Sequence, residues 1–248
     1  MTVRIKVCCH THPKDIALSV AEGADAIGVV VEYPTPVPWS LSRGRAAGLI
    51  RAVPPFVSSV AVVGGDADTI LRLAEATAPD ALQLHGDEPQ EVVAAVRDGL
   101  TGTGIQLVKA LRVRRSAAVD DTAGWVRTAR SFVDAGADAI LLDAHAPDRP
   151  GGGTGRTFDW SIARAVGREC SRPVILAGGL TPENVGDAVR IARPYGLDVV
   201  SSVEDEAHRK VRERVRAFVA AARRAAADTA SSPVTTPSGA AARSRRSA

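Results

Sequence analysis

The chain has 248 residues, 45% hydrophobic and 24% charged, which suits one large or two small soluble domains with a sizeable core. Aromatic residues make up only 4%, which argues against base-stacking nucleic-acid modules. The formal charge of +3 traces to Arg243, Arg245 and Arg246, the charges that follow Asp228, so it says nothing about a ligand of the body.

Short Val/Ile/Leu-rich runs alternate with Ala/Arg/Glu-rich amphipathic ones. In chain order the first unit predicts a strand over 3–8, ending Ile5-Lys6-Val7-Cys8, and a helix over 13–22. Strand 26–31 precedes helix 42–52. Strand 57–63, a continuous apolar run that suits a parallel strand covered on both faces, precedes helix 67–77. Strands 80–84 and 105–110 are followed by helices 88–98 and 118–135. Strand 138–142 runs into Asp143 and then the cluster Gly151-Gly152-Gly153-Thr154-Gly155-Arg156, with a helix over 159–169. Strand 173–177 leads to Gly178-Gly179 and to helix 182–192, for which Thr181 is a suitable N-cap and Pro182 a suitable first residue. Strand 197–201 and helix 204–226 complete eight strand–helix units, the size and order of a single-domain (β/α)8 barrel over residues 1–228. An open doubly wound sheet is the rival, but Cys8-Cys9-His10-Thr11-His12 stands where a G-x-G-x-x-G turn would follow its first strand. The Ala/Ser/Thr/Pro-rich stretch 229–248 reads as a disordered tail.

Cys8, Cys9 and Cys170 do not form a disulfide framework, and no apolar run follows a basic segment as in a secretory signal. The apolar stretches fall short of the ~20 residues a membrane helix needs. The expectation is a cytoplasmic protein without membrane partners.

In such barrels, catalytic groups come from the C-terminal strand ends and the loops after them. That rule collects Cys8, His85 and Asp143, with Gly178, Gly179, Ser201 and Ser202 as a phosphate pocket near a capped helix start. A thiol and a carboxyl sharing one mouth can move protons between carbon and oxygen. Taken alone, Cys8 would be a small buried hydrophobe, and Asp143 a loop-capping acid. Cys9, adjacent along the strand, is expected to face the opposite way and be structural, as is Cys170. Asp87-Glu88 reads as a helix start with acids favoured by the dipole.

Ile5-Lys6-Val7-Cys8, Gln83-Leu84-His85-Gly86-Asp87-Glu88, Leu141-Leu142-Asp143, Gly152 to Trp160, Ala177 to Asn184 and Asp198-Val199 occur in order, from about residue 3 to 204. Together they resemble the phosphoribosylanthranilate isomerase family of tryptophan biosynthesis. The resemblance implies a (β/α)8 barrel, no metal, no cofactor, and an Amadori rearrangement of N-(5-phosphoribosyl)anthranilate, a phosphorylated sugar arylamine. It makes Asp143 the general acid toward the furanose oxygen and Cys8 the general base at C2 of the sugar. A carboxyl near pKa ~4 and a thiol near ~8.5 each need help from their surroundings for those tasks at neutral pH. Gly152–Arg156 is expected to form a mobile cover, with Gly153 against the substrate. His85 is a further substrate contact, and the oligomeric state is a monomer or a homodimer.

Four departures from the family pattern matter. Cys9 and His10 follow the basic cysteine where glycine and an apolar residue are usual, and His12 replaces an arginine or asparagine. After the second strand, Thr35-Pro36-Val37-Pro38-Trp39-Ser40 lacks the arginine expected to hold the aryl carboxylate. Ser202 stands in place of a phosphate-loop glycine, and Val200 in place of a serine. Arg43 or Arg45 is a candidate replacement for the arginine; otherwise Trp39 stacks on a neutral ring, and the substrate is another N-ribosyl arylamine phosphate. Two further alternatives stay open: a metal-dependent barrel hydrolase using His10 and His12, and a barrel that binds a sugar phosphate without turning it over.

Overall fold

The computed structural model describes residues 2–114, 121–145 and 157–231. Eight parallel strands close into a barrel in sequence order. They are β1 (Arg4–Val7), β2 (Ala26–Val30), β3 (Ser58–Val63), β4 (Ala81–Leu84), β5 (Gln106–Arg114), β6 (Ala139–His145), β7 (Val174–Leu176) and β8 (Gly196–Val199). The helices are α1 (Pro13–Ala21), α2 (Arg43–Arg51), α3 (Ala67–Thr77), α4 (Gln90–Gly99), α5 (Thr122–Asp134), α6 (Trp160–Glu169), α7 (Val185–Ala192) and α8 (Arg212–Ser231). Closure between β1 and β8, which one sequence does not reveal, excludes the open-sheet alternative. Most of the core lies between the barrel and its helices, where Ile5, Ile27, Leu82, Leu107 and Ile140 meet Ile16, Ile70, Leu73, Val93 and Phe218.

The inward-facing row follows from the register. Lys6 pairs with Asp198, Gln83 with Val108, Ala110 with Leu141, and Arg112 with Asp143, so each of these side chains shares its partner's face. Small apolar residues (Val108, Ala110, Leu141 and Ala177) fill the barrel on the β5–β7 side. At the opposite, N-terminal end, three aspartates each just before an even strand accept a backbone N–H of the preceding strand. Asp25 takes Ile5, Asp80 takes Ser59 and Asp138 takes Leu107, at 2.7–2.9 Å. Such bonds satisfy backbone donors that would otherwise be stranded at the barrel floor.

Several boundaries depart from the sequence expectation. β5 runs on to Arg114 and β6 to His145, past the expected ends at 110 and 142. The last helix starts at Arg212 instead of 204, because a 3-10 turn over Ser201–Val203 and a Glu204–Lys210 bridge intervene, with His208 at φ +58°. It continues past Asp228 to Ser231, so residues 229–231 are helical. Glu88 is not an exposed helix-start acid: it is buried in an ion pair with Lys109, and α4 begins at Gln90 behind Pro89. The cover Gly152–Arg156, with Gly153, and the tail beyond Ser231 lie outside the described residues.

Candidate active site

Cys8 directly follows β1 and is buried, with Lys6 two residues back on the same inward face. Lys6 Nζ donates to Asp198 Oδ2 at 2.8 Å, and both side chains are only 7% exposed. Burial opposes the Lys6 charge, but the Asp198 carboxylate outweighs it and raises the ammonium's pKa. Burial also pushes Asp198 up to about 7, with Lys6 pulling the other way. A Cβ on Gly28, the facing residue of β2, would lie 2.4 Å from Cys8 Sγ, so the thiol occupies space that only a glycine leaves.

Cys9 does not behave as strand alternation predicts. Its φ of +64° is left-handed, which breaks the strand and turns its side chain into the same apolar cluster as Cys8, Val30, Trp39 and Val62. The Cys8 thiol is held well below its usual range, first by the Cys9 thiol acting as a hydrogen-bond donor and then by the Lys6 charge, against the effect of burial. Hydrogen bonding with Cys8 raises Cys9 in turn. The two sulfurs are thereby pushed in opposite directions, Cys8 toward the thiolate and Cys9 toward the thiol.

Asp143, near the end of β6, receives a 3.2 Å hydrogen bond at Oδ2 from His85 Nε2. Gln83, two residues before His85, donates its amide to Nδ1 at 2.8 Å, which leaves the imidazole proton on Nε2. Lys109 fixes the loop that carries His85 by donating at 2.7 Å to both the Gly86 carbonyl and Glu88. Asp198 senses both Cys8 and His85 electrostatically. Two polar pairs, Lys6 with Asp198 beside Cys8 and His85 with Asp143, thus stand at the C-terminal ends of the strands.

The phosphate-pocket candidates lie beside the acid. Gly178 and Gly179 adopt φ of +85° and +66°. A Cβ on Gly178 would lie 2.3 Å from the Ala144 nitrogen and 2.7 Å from Asp143 Oδ1. The turn ahead of α7 is tied down: Thr181 Oγ1 accepts from the N–H groups of Glu183 and Asn184, and Asn184 Oδ1 accepts from the Thr181 N–H. These bonds brace the turn ahead of α7, while Asn184, at the N-cap position of the helix, makes no side-chain cap bond. The Ser202 hydroxyl donates to the Leu180 carbonyl at 2.7 Å and so ties the β8 loop to the β7 loop. Ser201 opens the 3-10 turn next to it.

The two residues proposed for the aryl end are both engaged by other partners. Arg43 forms a bidentate pair with Glu32 on the surface, at 3.0 and 2.7 Å, and does not join the Cys8–Asp143 mouth. Trp39 is 6% exposed; its indole donates to Glu204 and its ring meets His208 edge-on, so it walls the site without an open face for stacking. His10 and His12 are likewise committed. His10 is buried between Ser19 and the Gly28 carbonyl, and burial drives its pKa down to about 3. His12 accepts from the Lys14 N–H as the cap of α1. No cluster able to hold a metal occurs among the described residues.

Sequence reasoning missed Gly28, Gln83, Arg112 and the Lys6–Asp198 pairing. The signal for Gln83 and Lys6 was the two-residue spacing that puts each on the face of His85 or Cys8. Gly28 and Asp198 are revealed only by which strands are neighbours.

The fold is a closed parallel (β/α)8 barrel that carries a buried thiol after β1 and a carboxyl on β6 beside a glycine turn. A family model described as N-(5'phosphoribosyl)anthranilate (PRA) isomerase matches residues 5–221. The N-(5'-phosphoribosyl)anthranilate isomerase of Haloferax volcanii is 42% identical over 223 residues, 90% of this chain and 94% of that protein. The Pseudomonas aeruginosa enzyme is 40% identical over 222 residues, covering 89% and 95%. Among solved structures, phosphoribosyl anthranilate isomerase from Thermotoga maritima superposes with a TM-score of 0.73 at 34% identity, covering 89% of this chain and 98% of its own. A structure in complex with reduced 1-(o-carboxyphenylamino)-1-deoxyribulose 5-phosphate gives 0.71 at 32% identity, covering 89% and 98%. The chain belongs to the phosphoribosylanthranilate isomerase family. No helix among the described residues is long and apolar enough to cross a membrane.

Proposed function

We propose that this chain isomerises N-(5-phosphoribosyl)anthranilate to 1-(2-carboxyphenylamino)-1-deoxyribulose 5-phosphate in tryptophan biosynthesis. Asp143 gives a proton to the furanose oxygen, the C1–O bond breaks, and the nitrogen lone pair closes a protonated Schiff base at C1. The Cys8 thiolate takes the proton from C2, and the electrons move through C1 to nitrogen to give the enolamine. Ketonisation at C2 with protonation at C1 yields the product, with no redox partner needed. His85 orients Asp143, Lys6 and Cys9 hold Cys8 as thiolate, and the phosphate rests on Gly178, Gly179 and the Ser201–Ser202 turn.

The observation that carries this reading is a pair of buried or half-buried contacts at the C-terminal strand ends: Lys6 with Asp198 on the face of Cys8, and His85 with Asp143. Pure binding has no use for a depressed thiol opposite a carboxyl. The reading extends to a cytoplasmic protein with a small-molecule substrate and no nucleic-acid or membrane partner, which suits three free cysteines. A monomer or homodimer is in keeping with the Thermotoga maritima relative, described both as dimeric and as monomers. The test is kinetic. Cys8→Ser and Asp143→Asn are each expected to cut kcat by ~10²–10⁴ with little change in KM. Near-normal turnover in either variant would remove that residue from its role.

A further inference from the structure

The reduced 1-(o-carboxyphenylamino)-1-deoxyribulose 5-phosphate in the related complex carries an o-carboxyphenyl group, and the substrate proposed above carries the same aryl carboxylate. Such an anion in a partly closed mouth calls for a charge-assisted donor. Most cations near this mouth are already matched: Lys6 by Asp198, Lys109 by Glu88, Lys210 by Glu204 and, farther out, Arg43 by Glu32. Arg112 differs. It stands in register with Asp143 across β5 and β6, on the inward row. Its Nη2 donates to two neutral oxygens, the His85 carbonyl at 2.9 Å and Tyr33 Oη at 3.2 Å. Its one carboxylate neighbour among the described residues, Asp87, lies 3.7 Å from Nη1 and is 87% exposed, so solvent screens that contact. The Arg112 side chain is about one-third exposed, which keeps guanidinium donors open to the mouth.

Tyr33 completes the arrangement. Its hydroxyl donates to the His85 carbonyl at 2.9 Å while accepting from Arg112, so the guanidinium is braced from two sides. Its ring packs on the cluster formed by Cys8, Val30 and Val62, an apolar wall facing the barrel axis.

We infer that Arg112, braced by Tyr33, recognises the aryl carboxylate of the substrate and so determines specificity in place of a cation in the loop after β2. This rests on the isomerase reading above. The experiment compares N-(5-phosphoribosyl)anthranilate with N-(5-phosphoribosyl)aniline, which lacks the carboxylate, in wild type, Arg112→Met and Arg112→Lys. Arg112→Met is expected to lose about 10- to 100-fold in kcat/KM on the anthranilate substrate, chiefly through KM, and less than about 3-fold on the aniline substrate. Arg112→Lys is expected to recover part of the loss on the anthranilate substrate alone, since an ammonium keeps the charge without the planar fork. Equal losses on both substrates would reduce Arg112 to a support for the His85 loop, and no loss on either would remove it from the site; both overturn the inference. Wild type inactive on both substrates would instead sink the isomerase reading.

Discussion

Replacing Lys6 with methionine removes half of a buried ion pair while keeping a chain of similar length. Asp198 stands 2.8 Å away, and its Oδ1 has no hydrogen-bond partner among the described residues. A carboxylate left alone in that setting costs about 3–5 kcal/mol unless it takes up a proton. Burial already raises Asp198 to about 7 against the pull of Lys6, and losing the ammonium pushes it further the same way. A carboxyl whose folded pKa exceeds its unfolded value of ~3.9 gives stability at low pH that is lost as pH rises through the folded value. Lys6→Met is therefore expected to lose its ~3–5 kcal/mol at pH 9 and little at pH 6. With a urea slope near 3 kcal/mol/M, that is a midpoint shift of about 1–1.7 M at the higher pH only. Urea titrations of wild type and variant at both pH values read it directly. Equal losses at the two pH values would refute an unpaired Asp198 as the cause. Adding Asp198→Leu should restore the midpoint at pH 9.

Three further variants probe the remaining groups. Glu88→Gln strands Lys109, whose pKa burial already lowers; that sign predicts a deficit greatest at low pH and relieved at high pH, opposite to Lys6→Met, and thermal melts across pH would expose the wrong sign. Cys9→Gly relieves a left-handed residue, worth about 1–2 kcal/mol, and removes the donor beside Cys8. Its melting temperature should hold or rise while the acid limb of kcat/KM moves to higher pH, and a stationary limb would exclude Cys9 from tuning the base. Gly178→Ala forces a Cβ to within 2.3 Å of the Ala144 nitrogen and 2.7 Å of Asp143 Oδ1. Both kcat and melting temperature are expected to fall, and an undisturbed kcat would deny contact between the turn and the acid.

The barrel was legible because each strand–helix unit announces itself through hydrophobic period and length, and seven of the expected strand–helix boundaries shift by only a few residues. The strand ends past Ala110 and Leu142 were hidden by Arg112 and Asp143. Charged residues there look like loop in a linear reading, yet they pair in register as β5 and β6 continue. Cys8 and Asp143 were readable as strand-end chemistry. Cys9 was misplaced because alternation holds only while φ stays extended, and at +64° it does not. Arg43 looked available because sequence does not reveal that Glu32 lies within 2.7 Å of it. The Lys6–Asp198 pair spans 192 positions along the chain, a separation that only closure of the barrel brings to hydrogen-bond length.

Glu204 is buried and takes the Trp39 indole, His208 and Lys210 together. Those bonds clamp the crossing after β2 to the one after β8. The same crossing is tied a second time through Tyr33 to the His85 loop, which Arg112 and Glu88 also hold. The stretch after β2 is thus pinned to three other strands' ends at once. A change of aryl preference that keeps those ties is expected from single substitutions at Val30, Val62 or Arg112, whereas grafting the stretch after β2 would break both sets together.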